Sequence, residues 1–311
     1  MTESTAELIQ IQYQKLKNIN FSVIELIREQ LHVHSSTELT ILLEGEVLVE
    51  AGTRSYRAGK GDMLIFNSYE AHRLVPDPRA TLLMLHLAPI FGSACFARLL
   101  TVEFDYTPQS LEKGVGDSVI SMLIDAAKVF FREPLAFGME CTSLIFGAMT
   151  LLIRNVPYSL NSDTEHVAKK KRFSRKQRIA AFVDQHYKDK LTLTQLAQSE
   201  GITTAYMSRI FGELFTDSFQ EYVSKLRMRK ALPMLKKNNI FLVDICMECG
   251  FSDTRYLNAI CLKEYGCTAA QLREQMQDPA WVDPKRELTP AWEECSVETS
   301  LRLLDHFQME E

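Results

Sequence analysis

Along the first third of the chain, apolar residues come in short bursts. Runs at 21–27, 39–43, 47–49, 63–66 and 81–87 are rich in Val, Ile, Leu and Phe and are separated by Gly, Asn, Asp and Pro. Short apolar runs broken by turn formers at this spacing predict an antiparallel sandwich or barrel. The mixed segment 10–18 before them is expected to be an arm or short helix carrying Ile11, Tyr13 and Leu16. After the strands the period lengthens. Within 117–131, Val119, Ile120, Leu123, Ala126, Ala127 and Phe130 fall at helical spacing, and Pro134 ends that helix. A second helix over 137–154 is apolar on most sides, with Leu144, Ile145, Phe146, Ala148, Met149, Leu151 and Leu152, so it needs more than one neighbour to bury it. From 155 to 172 the apolar period is lost: Pro157, a polar stretch and Lys169-Lys170-Lys171-Arg172 predict a linker.

Between 191 and 273 the same short pattern occurs twice. Leu196-Ala197, Gly201, Tyr206-Met207 and Phe211 are matched by Ile245-Cys246, Gly250, Tyr256-Leu257 and Cys261, offset by about 49 residues up to the glycine and about 50 beyond it. Each copy has the physics of a helix-turn-helix, with glycine supplying the turn. Thr194 is expected to cap the first helix and Thr203 the second, which buries Tyr206, Met207, Ile210 and Phe211. That leaves Thr204, Ala205, Ser208, Arg209 and Gly212 facing outward. In the second copy Ser252 or Asp253 caps, and Thr254, Arg255, Asn258 and Ala259 form the outward set. Outward sets of this kind suit a major groove.

Residues 173–273 resemble the DNA-binding domain of the AraC/XylS family of transcription regulators. The resemblance rests on the paired units, on Arg227, Ala231, Met234 and Leu235 between them, and on Ile245, Gly250-Phe251, Asp253, Tyr256, Gly266, Thr268 and Arg273. It implies a connecting helix that sets two reading helices about one DNA turn apart, roughly 34 Å. Thr216 stands where the family usually has Gly, and Ala259, Cys261, Leu262 and Ala269 replace Arg, Phe, Lys and Pro. Loss of the Arg and Lys predicts a second unit that reads DNA more weakly. Pro233 predicts a kink or early break in the connecting helix. The expected DNA contacts are Ser208 and Arg209, then Arg255 and Asn258, at bases, with Thr204, Ala205 and Thr254 facing the groove beside them and Lys225, Lys230 and Lys263 on phosphates.

In the N-terminal half, His32-x-His34, Glu38 and Gly45, followed by Gly61 and His72, are spaced like the two motifs of the cupin barrel, with Asn67 and Tyr69 in place of the usual Pro and Gly. In metal-binding cupins the matching residues hold a divalent metal. Sensor domains of AraC/XylS regulators often carry a similar set without one, so His32, His34, Glu38 and His72 are read as an effector pocket, with no metal, no cofactor and no catalytic residue assigned. The family resemblance further implies that helices 117–131 and 137–154 pair two subunits.

Charge sharpens this division. Residues 169–277 hold 19 Lys+Arg against 11 Asp+Glu, while 1–168 hold 13 against 20 and 278–311 hold 3 against 9, around a whole-chain net charge of -5. A basic module between acidic flanks suits phosphate attraction. Seven cysteines make no disulfide framework; Cys246, Cys249, Cys261 and Cys267 are read as core residues rather than a zinc or redox site. With no run of 18 apolar residues and a polar start, no membrane span is expected and the cytoplasm is the expected location. At the far end Trp281 and Trp292 sit among Pro279, Pro284 and Pro290. Beyond them Val297, Leu301, Leu304 and Phe307 form a stripe on an acidic helix, expected to dock on its own chain or a dimer mate.

The fold expected is α+β multidomain: a cupin-like β-barrel with dimerisation helices (1–154), a linker (155–172), an all-α double helix-turn-helix domain (173–277) and an acidic extension (278–311). The function expected is a sequence-specific DNA-binding regulator. Its partners would be double-stranded DNA, a small-molecule effector and a second copy of the chain, with RNA polymerase as a further one. The alternatives are a metal-dependent cupin enzyme, or a sensor of another protein, attached to a DNA-binding domain.

Overall fold

The apolar bursts become strands that alternate their side chains between two cores. The computed structural model describes residues 6–215, 217–278, 281 and 291–309, and it divides into two units, Met1–Phe173 with Thr289–Glu311, and Ser174–Leu288. The strands of the first unit are β1 (Glu7–Leu8), β2 (Ile19–Arg28), β3 (His32–Val33), β4 (Thr37–Ala51), β5 (Arg54–Gly59), β6 (Met63–Phe66) and β7 (His72–Leu87). β7 pairs antiparallel with both β2 and β4, and β4 also pairs with β5 and β6. Because successive side chains point to opposite faces, Ile19, Phe21, Val23, Leu39, Ile41, Leu83 and Leu85 enter one core while Ile24, Leu26, Leu42, Leu64 and Leu82 enter the other. Burial on both faces explains why these runs read as continuous rather than alternating. Runs 39–43 and 47–49, expected as separate strands, are one strand carried through register shifts around Gly45. The arm forms no helix: β1 pairs parallel with β3, and Tyr13 hydrogen-bonds Ser36 at 2.7 Å.

Next come β8 (Val102–Phe104), α1 (Lys113–Arg132) and α2 (Phe137–Asn155). α2 is long and apolar enough to cross a membrane by composition, yet Cys141, Ile145, Ala148, Met149 and Leu152 are buried in the same core as α1. Residues 155–172 are not the irregular linker expected. They contain β9 (Tyr158–Leu160), paired with β8, and the first turns of α3 (Asp163–His186). A helix polar on nearly all sides gives no apolar period, but its start was legible: Ser162 and Glu165 exchange backbone-to-side-chain bonds as a capping box.

The second unit holds α4 (Leu193–Ser199), α5 (Thr204–Leu214), α6 (Phe219–Leu235), α7 (Leu242–Cys249), α8 (Thr254–Tyr265) and α9 (Ala269–Gln275). α6 joins two small cores, giving Val223 and Leu226 to the first helix pair and Met228, Ala231 and Leu235 to the second. It runs through Pro233 and ends at Leu235, so the proline lies in the last turn instead of breaking the helix early. Gly201 and Gly250 have φ of +66° and +76°, the left-handed turns the repeat demands. At Gly250 a Cβ would also stand 2.5 Å from the Tyr187 carbonyl oxygen. Cys246, Cys249, Cys261 and Cys267 are buried in the second core, and burial raises the Cys261 thiol to about 12. Thr216, Pro279, Pro284 and Pro290 lie outside the described residues.

The chain then returns to the first unit. β10 (Ala291–Glu294) pairs with β2, and α10 (Val297–Met309) places Leu304 and Phe307 in the core beside α1. Asp305 pairs with Lys128 at 2.7 Å and Arg132 at 3.4 Å. The buried line is Ser300, Leu304 and Phe307; Val297, expected on that stripe, is half exposed.

Candidate functional site

In the first helix-turn-helix the cap of α4 is Thr192, in a capping box with Gln195, and not Thr194 as expected; α5 is capped by Thr203. Met207, Ile210, Phe211 and Leu214 are buried, while Thr204, Ala205, Ser208, Arg209 and Gly212 are exposed together on the other face. Tyr206, expected inward, is exposed, and the Arg209 guanidinium lies 5.0 Å from its ring centre. In the second unit Asp253 caps α8 by accepting from the Tyr256 amide. Arg255 and Ala259 are exposed, Thr254 is half-buried, and Asn258 is already engaged: its Oδ1 accepts from the Ala269 amide at 2.9 Å. That bond fixes the first residue of α9, a structural duty that the outward-facing reading missed.

Lys225, Lys230 and Lys263 are exposed and hold Asp217, Asp184 and Glu221 at 2.6, 3.1 and 3.1 Å. Exposed pairs are weak and exchange readily for a phosphate. Arg227, by contrast, donates to the Tyr187 and Asp189 carbonyls, tying the loop before α4 to α6.

In the barrel, β3, β4 and β7 bring His32, His34, Glu38 and His72 together, each at most 3% exposed, with their ligand atoms all within 4.8 Å of one another. Donors around one ion with bonds of 2.0–2.2 Å lie within roughly 4.4 Å of each other, so shifts of a few tenths of an ångström would close the set. The Nδ1 atoms of His32, His34 and His72 face the carbonyls of Gln30, Ser36 and Glu70 at 3.1, 3.1 and 3.0 Å. A carbonyl can only accept, so each Nδ1 carries a proton, and in a neutral ring the Nε2 keeps its lone pair.

The Nε2 of His34 nevertheless meets Glu38 Oε2 at 2.9 Å, and that of His72 stands 3.4 Å away with no hydrogen-bond partner. His34 thus faces an acceptor at both nitrogens. An imidazolium would satisfy both only against burial, which pushes its pKa down to about 4, and a protonated Glu38 only against the imidazoles that hold that carboxyl low. A cation among these lone pairs would resolve the conflict, which is the outer-shell arrangement of metal-binding histidines. Burial alone would raise the Glu38 carboxyl, but the imidazoles of His34, His72 and His86 around it hold it well below the usual carboxylate range. Burial, then the charges of His72 and His34, hold His32 well below the ordinary imidazole value.

Three neighbours escaped the sequence reading. Thr40 donates to Glu38 Oε1 at 2.6 Å, His86 Nε2 stands 3.2 Å from Oε2, and burial raises Glu29 to about 8. His86 lies opposite Glu38 in the β4–β7 register, a pairing that the sequence alone does not reveal. Arg54, Arg57 and Arg73 face Glu70, Glu46 with Asp77, and Glu50.

Two family models match the chain, a helix-turn-helix domain over residues 196–275 and an AraC-like ligand binding domain over residues 26–124, together more than half of its length. The chain belongs to the AraC family of transcriptional regulators. It is 25% identical to the HTH-type transcriptional regulator YpdC of Escherichia coli, over 77% of this chain and 82% of that one. It is also 25% identical to the virulence regulon transcriptional activator VirF of Yersinia enterocolitica, over 77% and 90%. The solved structure of ToxT from Vibrio cholerae is 10% identical over 85% of this chain and 99% of its own, with a TM-score of 0.37. In AraC-family terms, α4 to α9 form the module that binds double-stranded DNA, and the buried histidine cluster falls inside the ligand-binding domain.

Proposed function

We propose that this AraC-family regulator binds DNA sequence-specifically through α5, with α8 assisting. Its barrel would respond to a divalent transition-metal ion held by His32, His34, Glu38 and His72. One observation carries the ion: His34 lies between two acceptors with a single proton to offer. Three imidazoles and a carboxylate suit Zn, Fe, Ni or Cu better than Mg or Ca. When bound, the ion supplies positive charge to a buried carboxylate and binds the two ends of the motif to each other.

The organic effector expected from the sequence suits this spot less well, because the four side chains are buried and the Phe66 ring stacks on His72 at 4.0 Å. An enzymatic role is disfavoured on similar grounds. Catalytic metal sites keep a position open to substrate, and these donors are closed off from the surface, so the ion serves as a signal. Homodimer formation and contact with RNA polymerase, both acting on DNA in the cytoplasm, complete the proposal. Fully exposed Leu135 and largely exposed Met139, just before and at the start of α2, favour a pairing surface there.

Chelator-stripped full-length protein dialysed against zinc tests the reading. One zinc per chain is expected, lost in His34→Ala while far-UV circular dichroism stays unchanged. Wild-type protein that retains no zinc contradicts it.

A further inference from the structure

We propose that the site signals to the DNA-binding half through the reverse faces of its own ligand strands, by way of an apolar seat for helix α3. The idea rests on the cation reading above. Side chains alternate along an extended chain, so the segments that aim His32, His34 and His72 inward aim their sequence neighbours outward. Val33 lies between two ligands and Ala71 precedes the third. Both are buried, but in a separate cluster with Ala6, Tyr69 and Phe173. Phe173 belongs to α3, the helix that continues to His186 in the second unit. From 164 to 172 the side chains of α3 are exposed or half-buried, and Phe173 is 7% exposed.

Tyr69 is the joint. Its ring lies 5.2 Å from Phe173 and 6.0 Å from His166, and its amide donates to the His34 carbonyl at 2.9 Å. Its φ is +64°, a left-handed conformation that glycine adopts freely and tyrosine does not. Glycine is what the cupin motif usually has at this position. A bulky residue kept there against its backbone preference points to a duty for the ring, and the contact it makes is with α3. Asn67, in place of the motif proline, holds the same turn to β8 by two bonds with the Phe104 backbone at 3.0 and 2.8 Å. An ion drawing His34 and His72 together therefore pulls on the two segments that carry Val33, Tyr69 and Ala71 in the seat.

Hydrogen exchange on full-length protein, stripped and zinc-loaded, reads this coupling. Zinc is expected to slow amide exchange over 166–186 by roughly tenfold, within the usual range of allosteric coupling. In Phe173→Ala, zinc should still bind at one per chain while the response over 174–186 is lost, and Phe173→Leu should restore part of it. If the alanine variant does not fold, the leucine variant alone must show a reduced response. Zinc bound by the wild type with no change over 166–186, or a full response in the folded alanine variant, overturns the coupling and leaves the metal reading standing. No zinc bound by the wild type overturns both.

Discussion

Arg209 is placed to leave its own surface: its neighbours are the Tyr206 ring and, at 3.8 Å, Glu213, both exposed. Weak, solvated contacts of this kind cost little to exchange for a base edge. Arg209→Ala is expected to cost roughly 1–3 kcal/mol on a specific site and to relax specificity there, read by titrating matched and mutated DNA. Asn258 behaves oppositely. Its side chain already serves the start of α9. Asn258→Ala should lower stability by about 1 kcal/mol in urea denaturation and leave base preference alone, whereas a changed preference at normal stability would restore it as a reader. The sequence pattern could not separate these two. Both positions face outward by period, and only the backbone amide opposite Asn258 distinguishes them.

At the scale of elements, glycine tests the turns. Gly201→Ala meets only the left-handed strain, about 1–2 kcal/mol, whereas Gly250→Ala adds a collision with the Tyr187 carbonyl and should cost more in thermal unfolding. Equal losses at the two sites would remove that distinction. The tail gives a second test. Leu304 is fully buried in the core of the N-terminal unit, so Leu304→Ala should destabilise that unit by roughly 2–5 kcal/mol, and a loss under 1 kcal/mol would mean α10 is not held there.

These elements also show where the sequence was legible. α1, α5 and α8 carry one apolar face and were readable by period, and α2 by its length and apolar content. β10 was not, because a strand completing a distant edge has no local signature. The start of α3 was missed because its residues before Phe173 carry no apolar face and rest on the cap, while its buried positions, Phe173, Ile179 and Val183, come later. The four clustered positions, His32, His34, Glu38 and His72, were legible by spacing. Their chemistry was not, because it depends on which nitrogen faces a carbonyl.

Over the whole molecule the basic stretch 169–277 lies between acidic flanks, so long-range attraction to DNA is confined to one module. Its affinity should therefore fall steeply as salt rises. A ligand shifts a regulator only by its differential affinity for two arrangements, so the account requires that metal and DNA each alter the affinity of the other. The most direct measurement is DNA affinity of the full-length protein on fragments upstream of its own gene. It would be taken with zinc and with chelator across a salt series. The account predicts retention on a discrete sequence, a steep salt slope, and an affinity that differs between the two metal states by roughly fivefold or more, lost in His34→Ala. Sequence-blind binding, or specific binding indifferent to zinc, would contradict it.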